Sequence, residues 1–232
     1  VLDARDSYGP TTQHRSRTAR KQSKLSKGRY EIVVREDLGR IRDTVSGEVM
    51  HSVNDPTKEA CSLYVEQSRL IERLQIAAPT PLVIWDVGLG AAANAMATIH
   101  AVEALPAGQL QRGLQLLSFE NDLDSLRLAL RHTQWFKHLR HGAPHQLLTD
   151  NQWLSASGSI EWRLLPGDFS QRQHHAPAPD IVFFDPFSYK TDSTLWTLAA
   201  FRELAQLCQH RATELFTYSY STRVRAALLA AG

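Results

Sequence analysis

From residue 77 onward, short apolar runs of strand type alternate with stretches whose apolar residues recur at helical spacing. The first run, Leu82-Val83-Ile84-Trp85, leads into Asp86-Val87-Gly88-Leu89-Gly90, and residues 91–104 follow as a helix of small side chains. Leu114–Phe119, Ile160–Leu165, Asp180–Phe184 and Thr213–Tyr218 read as further strands. Helices are expected over 122–138, 146–155 and 193–208, and Thr222–Ala231 opens another. The alternation predicts an α/β fold: a doubly wound, mostly parallel sheet of Rossmann-like type with helices on both faces.

Ahead of this core (77–232) the pattern changes. Residues 30–35 alternate as a strand, Asp37-Leu38-Gly39 reads as a turn, and 40–45 as the return strand. Residues 46–59 are polar and irregular. Asp55 suits a helix N-cap and Pro56 its first turn, with apolar residues recurring to position 74. A small N-terminal β-hairpin and helix extension over 30–76 is therefore expected.

Composition adds little: 43% hydrophobic and 22% charged residues are ordinary for a globular domain. No apolar run is long enough to span a bilayer and the first residues lack a signal-peptide pattern; the two cysteines, Cys61 and Cys208, read as buried apolar residues rather than a disulfide or metal pair, so a reducing, cytoplasmic setting is expected. Charge does change the picture. Residues 1–29 carry eight Lys and Arg against Asp3 and Asp6, leaving the rest of a +2 chain net acidic. This basic arm, too polar to join a core, suits contact with an anionic partner such as RNA; a solvated tail is the alternative. His138, His141 and His145 are spaced by three and four, but Pro144 interrupts the helix and no Cys is near, so no metal site is expected.

The candidate chemistry lies at the strand ends. Gly88 and Gly90 form a tight strand-to-helix turn where N–H groups point at a ligand. Position 93 is Ala, so the dinucleotide fingerprint is incomplete, and no Gly-Lys-Ser/Thr follows, which excludes a P-loop. An acid just before the turn, Asp86, is typical of S-adenosylmethionine sites; a glycine-rich turn with no ligand is the alternative reading. Four strands end in an acid, and in a parallel sheet those ends line the crevice. Asp86 suits the amino-acid end of such a cofactor and Glu120, with Asn121 beside it, the ribose hydroxyls. Asp168, with Phe169, suits the adenine amine. Asp122 and Asp192 read as local caps. Asp185-Pro186-Phe187-Ser188-Tyr189 is the expected chemical centre. Asp-Pro-aromatic partly resembles the motif of methyltransferases that act on an exocyclic nitrogen, with Phe187 where that motif has a second Pro; the resemblance implies that the carboxylate holds the nitrogen and the aromatic ring packs on the substrate.

Four stretches together carry a resemblance: Met50-His51-Ser52 with Glu59-Ala60; Asp86 to Gly90 with Asn94; Phe184 to Lys190 with Leu195-Trp196; and Phe216-Thr217-Tyr218-Ser219 with Val224-Arg225, Leu228 and Ala231-Gly232. Over roughly residues 45–232 the chain resembles the MnmC-type methyltransferase domains that act in making 5-methylaminomethyl-2-thiouridine in tRNA. The resemblance implies an S-adenosyl-L-methionine cofactor held also by Ser52, Glu59 and Asn94. It implies catalysis around Asp185, Pro186 and Tyr189, and substrate contacts from Phe187, Lys190 and Trp196. It further implies N-methylation of an aminomethyl wobble uridine, whose base would be splayed out and stacked on Phe187, Tyr189 or Trp196.

There are departures. The family usually has Thr-Gly where Ala91-Ala92 stand and a small residue where Pro186 stands. The basic arm is outside the likeness, as is the flavin-dependent oxidase domain, so methyl transfer alone is expected. The sequence stops at Gly232, where such folds add an antiparallel strand pair. A methyltransferase for a small molecule or protein, and a non-catalytic cofactor-binding protein associated with RNA, are the other readings.

Overall fold

The computed structural model describes residues 25–50, 55–188 and 190–232. Most of the basic arm, and the candidate residues Ser52 and Tyr189, lie outside the described residues. The chain makes β1 (Leu25–Lys27), β2 (Tyr30–Arg35) and β3 (Leu38–Asp43), then α1 (Pro56–Ala60), a π-helical turn (Cys61–Glu66) and α2 (Leu70–Leu74). The core follows as β4 (Leu82–Val87), α3 (Ala93–Glu103), β5 (Leu114–Glu120), α4 (Asp124–Leu130), α5 (Ala143–Asp150), β6 (Gln152–Leu154) and β7 (Ile160–Pro166). It closes with α6 (Phe169–Arg172), β8 (Ile181–Phe184), α7 (Leu198–Cys208), β9 (Glu214–Phe216) and α8 (Thr222–Ala231).

The six-stranded sheet has the order β6-β7-β5-β4-β8-β9. All its pairings are parallel except β6 with β7. The chain winds outward from β4 through β5 and β7, then returns to the other side of β4 with β8 and β9. The switch point between β4 and β8 is where a doubly wound sheet opens its crevice.

Strand β4 is buried along its whole length. Its side chains divide by alternation: Leu82 and Ile84 join the core beneath α3, while Val83, Trp85 and Val87 join the core that Phe201, Leu204 and Val224 of α7 and α8 complete. Each such side chain stabilises by about 1.5–3 kcal/mol when fully buried. Ala95 and Ala97 in α3 are buried, and their small size brings that helix close to the sheet. At the opposite end of the sheet, Arg211 clasps Asp180 through two hydrogen bonds of 2.8 and 2.7 Å, and Asp180 also accepts the Val83 N–H at 2.8 Å.

Four of the departures from the sequence-based expectation bear most on the fold. The first sheet has three strands, beginning at Leu25 within the segment expected to lack structure. Its tight turn is Glu36-Asp37, both with positive φ, which shortens the loop and moves β3 two residues earlier. The 122–138 helix ends at Leu130 and continues as turns and a short 3₁₀ segment, Lys137–Arg140. A short antiparallel strand, β6, occupies part of the expected 146–155 helix; Asn151 turns left-handed (φ 57°) and ends α5 there. Asp55 caps α1 as expected, accepting the Thr57 N–H at 2.9 Å with Pro56 in the first turn.

The N-terminal sheet is docked on the core rather than appended to it. Tyr30, Ile32 and Ile41 share the core beneath α3. The Gly39 N–H donates to the Trp135 carbonyl at 3.0 Å. A Cβ at Gly39 would stand 2.5 Å from the Phe136 ring, so the close approach requires glycine. Among the described residues no helix is long and apolar enough to cross a membrane.

Candidate active site

At the carboxyl ends of β4, β5, β7 and β8 lies a cavity of about 740 Å³. Gly88 and Gly90 form its floor-side turn, with φ of 88° and 53°. Gly88 is constrained by the protein itself: a Cβ there would lie 2.7 Å from the Asp185 carbonyl oxygen and from Pro186 Cα. The turn after β4 and the loop after β8 therefore cross backbone to backbone. The Asp185 N–H donates to the Val87 carbonyl at 2.9 Å and fixes that crossing. Pro186, which has no N–H to donate, follows directly.

Position 92, where the resembled family has Gly, is Ala held left-handed at φ 58° and fully buried. Its N–H donates to the Leu89 carbonyl at 2.7 Å, so the turn is kept despite the Cβ, against a cost of about 1 kcal/mol. His138 Nε2 lies 2.9 Å from the Ala91 carbonyl. A carbonyl only accepts, so this nitrogen carries the proton, and the imidazole acts as a strut for the turn.

Three of the four strand-end acids line the cavity: Glu120, Asp168 and Asp185. Glu120 accepts the Gly90 N–H at 2.9 Å through Oε2 and the Asp122 N–H at 3.0 Å through Oε1, so it braces the glycine turn from the next strand. Burial pushes its carboxyl up, and the Gly90 N–H opposes that shift. Asp168 caps α6 by accepting from Ser170 N and Oγ, both at 2.9 Å. Asn121 and Phe169 also face the cavity; the Phe169 ring meets Phe119 and Trp85 edge to face.

Asp86 does not line the cavity. It is 1% exposed behind the turn, where Oδ2 accepts from Ser118 Oγ at 2.7 Å and Ser118 in turn accepts from Trp162 Nε1 at 2.9 Å. Burial pushes its carboxyl up to about 7; the Ser118 bond lowers it, and Asp185 and Glu120 raise it further. Its Oδ1 has no hydrogen-bond partner among the described residues. Glu59 also stands off the cavity wall, beside Tyr218.

Around Asp185 the geometry is specific. Asn94 Nδ2 donates to Asp185 Oδ2 at 2.9 Å from the first turn of α3. Tyr64, 1% exposed on the π-helical turn, packs on Phe183; burial and then the Asp185 carboxylate push its phenol well up. The loop beyond Asp185 is held from the N-terminal extension. Glu48 accepts from Ser188 N and Ser188 Oγ, both at 2.9 Å, and from Thr191 Oγ1. The Phe187 ring stacks on Tyr30 with centroids 6.4 Å apart and planes 6° off parallel. Trp196 is 7% exposed and donates its indole N–H to the Phe187 carbonyl at 2.7 Å, so its position beside the cavity is that of a brace. Lys190 is exposed at the cavity mouth.

Glu48, Tyr64 and Tyr30 are the residues that sequence reasoning missed. Glu48 sits in a stretch with no periodicity, Tyr64 reads as one apolar position of a helix, and Tyr30 as one position of a strand.

Comparison with known proteins agrees with this geometry. Residues 131–232 match the family model of S-adenosyl-L-methionine-dependent methyltransferases. In sequence the chain is similar to the tRNA 5-methylaminomethyl-2-thiouridine biosynthesis bifunctional protein MnmC of Aeromonas hydrophila, 29% identical over 199 residues, which cover 80% of this chain and 30% of that protein. To MnmC of Pseudomonas fluorescens it is 30% identical over 218 residues, covering 85% and 31%. The chain thus spans about a third of the length of the curated relatives it matches. In structure it is similar to MNMC2 from Aquifex aeolicus, with a TM-score of 0.64 and 24% identity over 88% of this chain and 64% of that one. The doubly wound fold and the match over residues 131–232 are those of S-adenosyl-L-methionine-dependent methyltransferases. Within that class the chain is similar to the MnmC proteins in sequence and to MNMC2 in fold.

The residues present suit that cofactor. Its ammonium, sulfonium and ribose hydroxyls are cations and donors, and the cavity wall offers the carboxylates of Glu120 and Asp168. Asn94, also on the wall and 5% exposed, has an Oδ1 with no hydrogen-bond partner among the described residues. An unmet buried acceptor costs about 1–3 kcal/mol, which a donor from the ligand would offset.

Proposed function

We propose that this chain transfers a methyl group to the exocyclic amine of a 5-aminomethyl, wobble-position (2-thio)uridine in tRNA, giving 5-methylaminomethyl. The observation that carries the reading is the Asn94–Asp185 pair at the switch point, with the carboxylate on the cavity wall. The sequence likeness to MnmC supports the substrate class.

When bound, the cofactor supplies an electrophilic methyl on its sulfonium. The chain supplies the rest. On this reading Glu120 and Asp168, both on the cavity wall, hold hydroxyl and amine donors of the cofactor, beside the glycine turn. An alkyl amine like that of lysine has a pKa near ~10.4 and is mostly protonated at neutral pH. Asp185, fixed by Asn94 and by its own main chain, accepts a hydrogen bond from that amine and takes or relays its proton. Holding nitrogen and methyl aligned provides the larger part of the acceleration. Phe187, Lys190 and Pro186, which line the cavity, form the proposed acceptor contacts, and Tyr189 belongs to the proposed catalytic set.

Nucleoside mass spectrometry of tRNA from cells lacking the gene tests this reading. Accumulated aminomethyl-uridine with loss of the methylated form supports it, and an unchanged nucleoside profile refutes it.

A further inference from the structure

The loop between β9 and α8 places two tyrosines at the mouth of the cavity. Tyr218 is 39% exposed and Tyr220 83%, and both border the opening. Their rings meet edge to face, with centroids 5.8 Å apart and planes at 71°. Tyr218 is tied inward: burial, and then the Glu59 carboxylate, push its phenol up. Tyr220 is steadied at one edge by this anchored neighbour and presents the rest of its ring to solvent.

Glu59 faces Tyr218 on the inner side, and basic residues lie on the outer side. Lys190 is exposed at the same mouth, and Arg223 and Arg225 are exposed in the first turn of α8, directly after the loop. An open aromatic face among cations matches a single-stranded nucleic acid, in which splayed bases stack and phosphates seek Lys and Arg. The aromatic residues deeper in the site are engaged elsewhere. Phe187 stacks on Tyr30, and Trp196 meets Phe184 and Phe201 edge to face.

We propose that Tyr220 is the stacking platform for a nucleobase of the RNA substrate at the cavity mouth, with Lys190, Arg223 and Arg225 beside it for the phosphates. This rests on the tRNA reading above and adds a residue that specifies how the loop is presented. The ring, not the hydroxyl, makes the contact.

The test compares the wild-type chain with Tyr220→Ala and Tyr220→Phe in steady-state methylation of tRNA, alongside calorimetric binding of S-adenosylmethionine. The expected result is a rise in KM for tRNA of about tenfold in Tyr220→Ala, the scale of removing one base–aromatic stack. Tyr220→Phe should return to wild-type KM, and cofactor affinity should be the same in all three. An unchanged KM in Tyr220→Ala, or an equal loss in Tyr220→Phe, overturns the platform while wild-type activity on tRNA keeps the substrate class. No methylation of tRNA by the wild-type chain overturns the substrate class and the platform with it.

Discussion

Asn94 Nδ2 donates to Asp185 Oδ2 at 2.9 Å, joining the first turn of α3 to the loop that follows β8. The two residues stand 91 positions apart in the chain, yet they define one site across the switch point of the sheet. Asp185→Ala is expected to lower turnover by a hundredfold or more, the scale of a positioned acid–base group, with cofactor affinity kept within a few-fold. Asn94→Ala should lower kcat by about tenfold with the acceptor KM little changed, because the carboxylate remains but loses its orientation. Single-turnover kinetics with calorimetry separates the two effects. An equal loss of binding and turnover in Asp185→Ala would assign that carboxylate to the cofactor instead.

Glu120→Ala should weaken S-adenosylmethionine binding by tenfold or more, since charged hydrogen bonds contribute about 1.5–3 kcal/mol. It should also lower the melting temperature, because the Gly90 and Asp122 N–H groups lose their acceptor. Calorimetric titration showing unchanged affinity would remove Glu120 from the cofactor site.

Glu48→Ala frees Ser188 and Thr191 from their only carboxylate partner among the described residues. Cofactor affinity should hold, while the KM for the acceptor rises several-fold because the loop beyond Asp185 is no longer fixed. Glu48→Gln, which keeps one acceptor oxygen, should fall between. Equal KM values in all three proteins would show that this loop does not shape the acceptor site.

Asp86 predicts a pH signature. Its carboxyl is raised by burial to about 7 in the folded chain, against roughly 3.9 when unfolded. The folded state therefore holds a proton that the unfolded state has released across this interval. The stabilisation is fully present below about pH 4 and is lost as pH rises toward and through 7. Asp86→Asn should remove this slope and stabilise the chain by a few kcal/mol at pH 8, with much less gain at pH 5. Urea melts at the two pH values check it. A parallel shift at both would show that Asp86 is ionised throughout.

Deleting residues 1–24, and so keeping β1, should spare cofactor binding. If the arm neutralises phosphates, tRNA binding weakens on its removal. The salt dependence then becomes shallower by about 0.7–0.9 for each phosphate the arm had paired with. Superimposable salt titrations would mark the arm as a bystander.

These residues also show what a sequence can reveal. The β4 apolar run, the glycine turn and the strand-end acids are local patterns, and each lies where a parallel sheet must put it. Asp86 is legible as a strand-end acid but not as a buried one, because burial is decided by Ser118 and Trp162 on neighbouring strands. Glu48 is not legible at all, since its role is set by Ser188, 140 residues later, and no local period marks it. The break at Leu130 is hidden because apolar spacing persists through Trp135 while the backbone turns away to meet Gly39.

The separation of Glu48 from Ser188 also has a meaning in time. At about 5–20 residues per second, a ribosome needs roughly 7–30 seconds to make Ser188 after Glu48. The glycine turn can form beside β5 early, but β8 must be inserted next to β4 before the loop after Asp185 exists at all. Contacts this distant in sequence slow folding. The loop beyond Asp185 is therefore made well after the glycine turn, and a chain halted before it would carry half a pocket: Gly88, Gly90 and Glu120 on the wall with no Asp185 to face them.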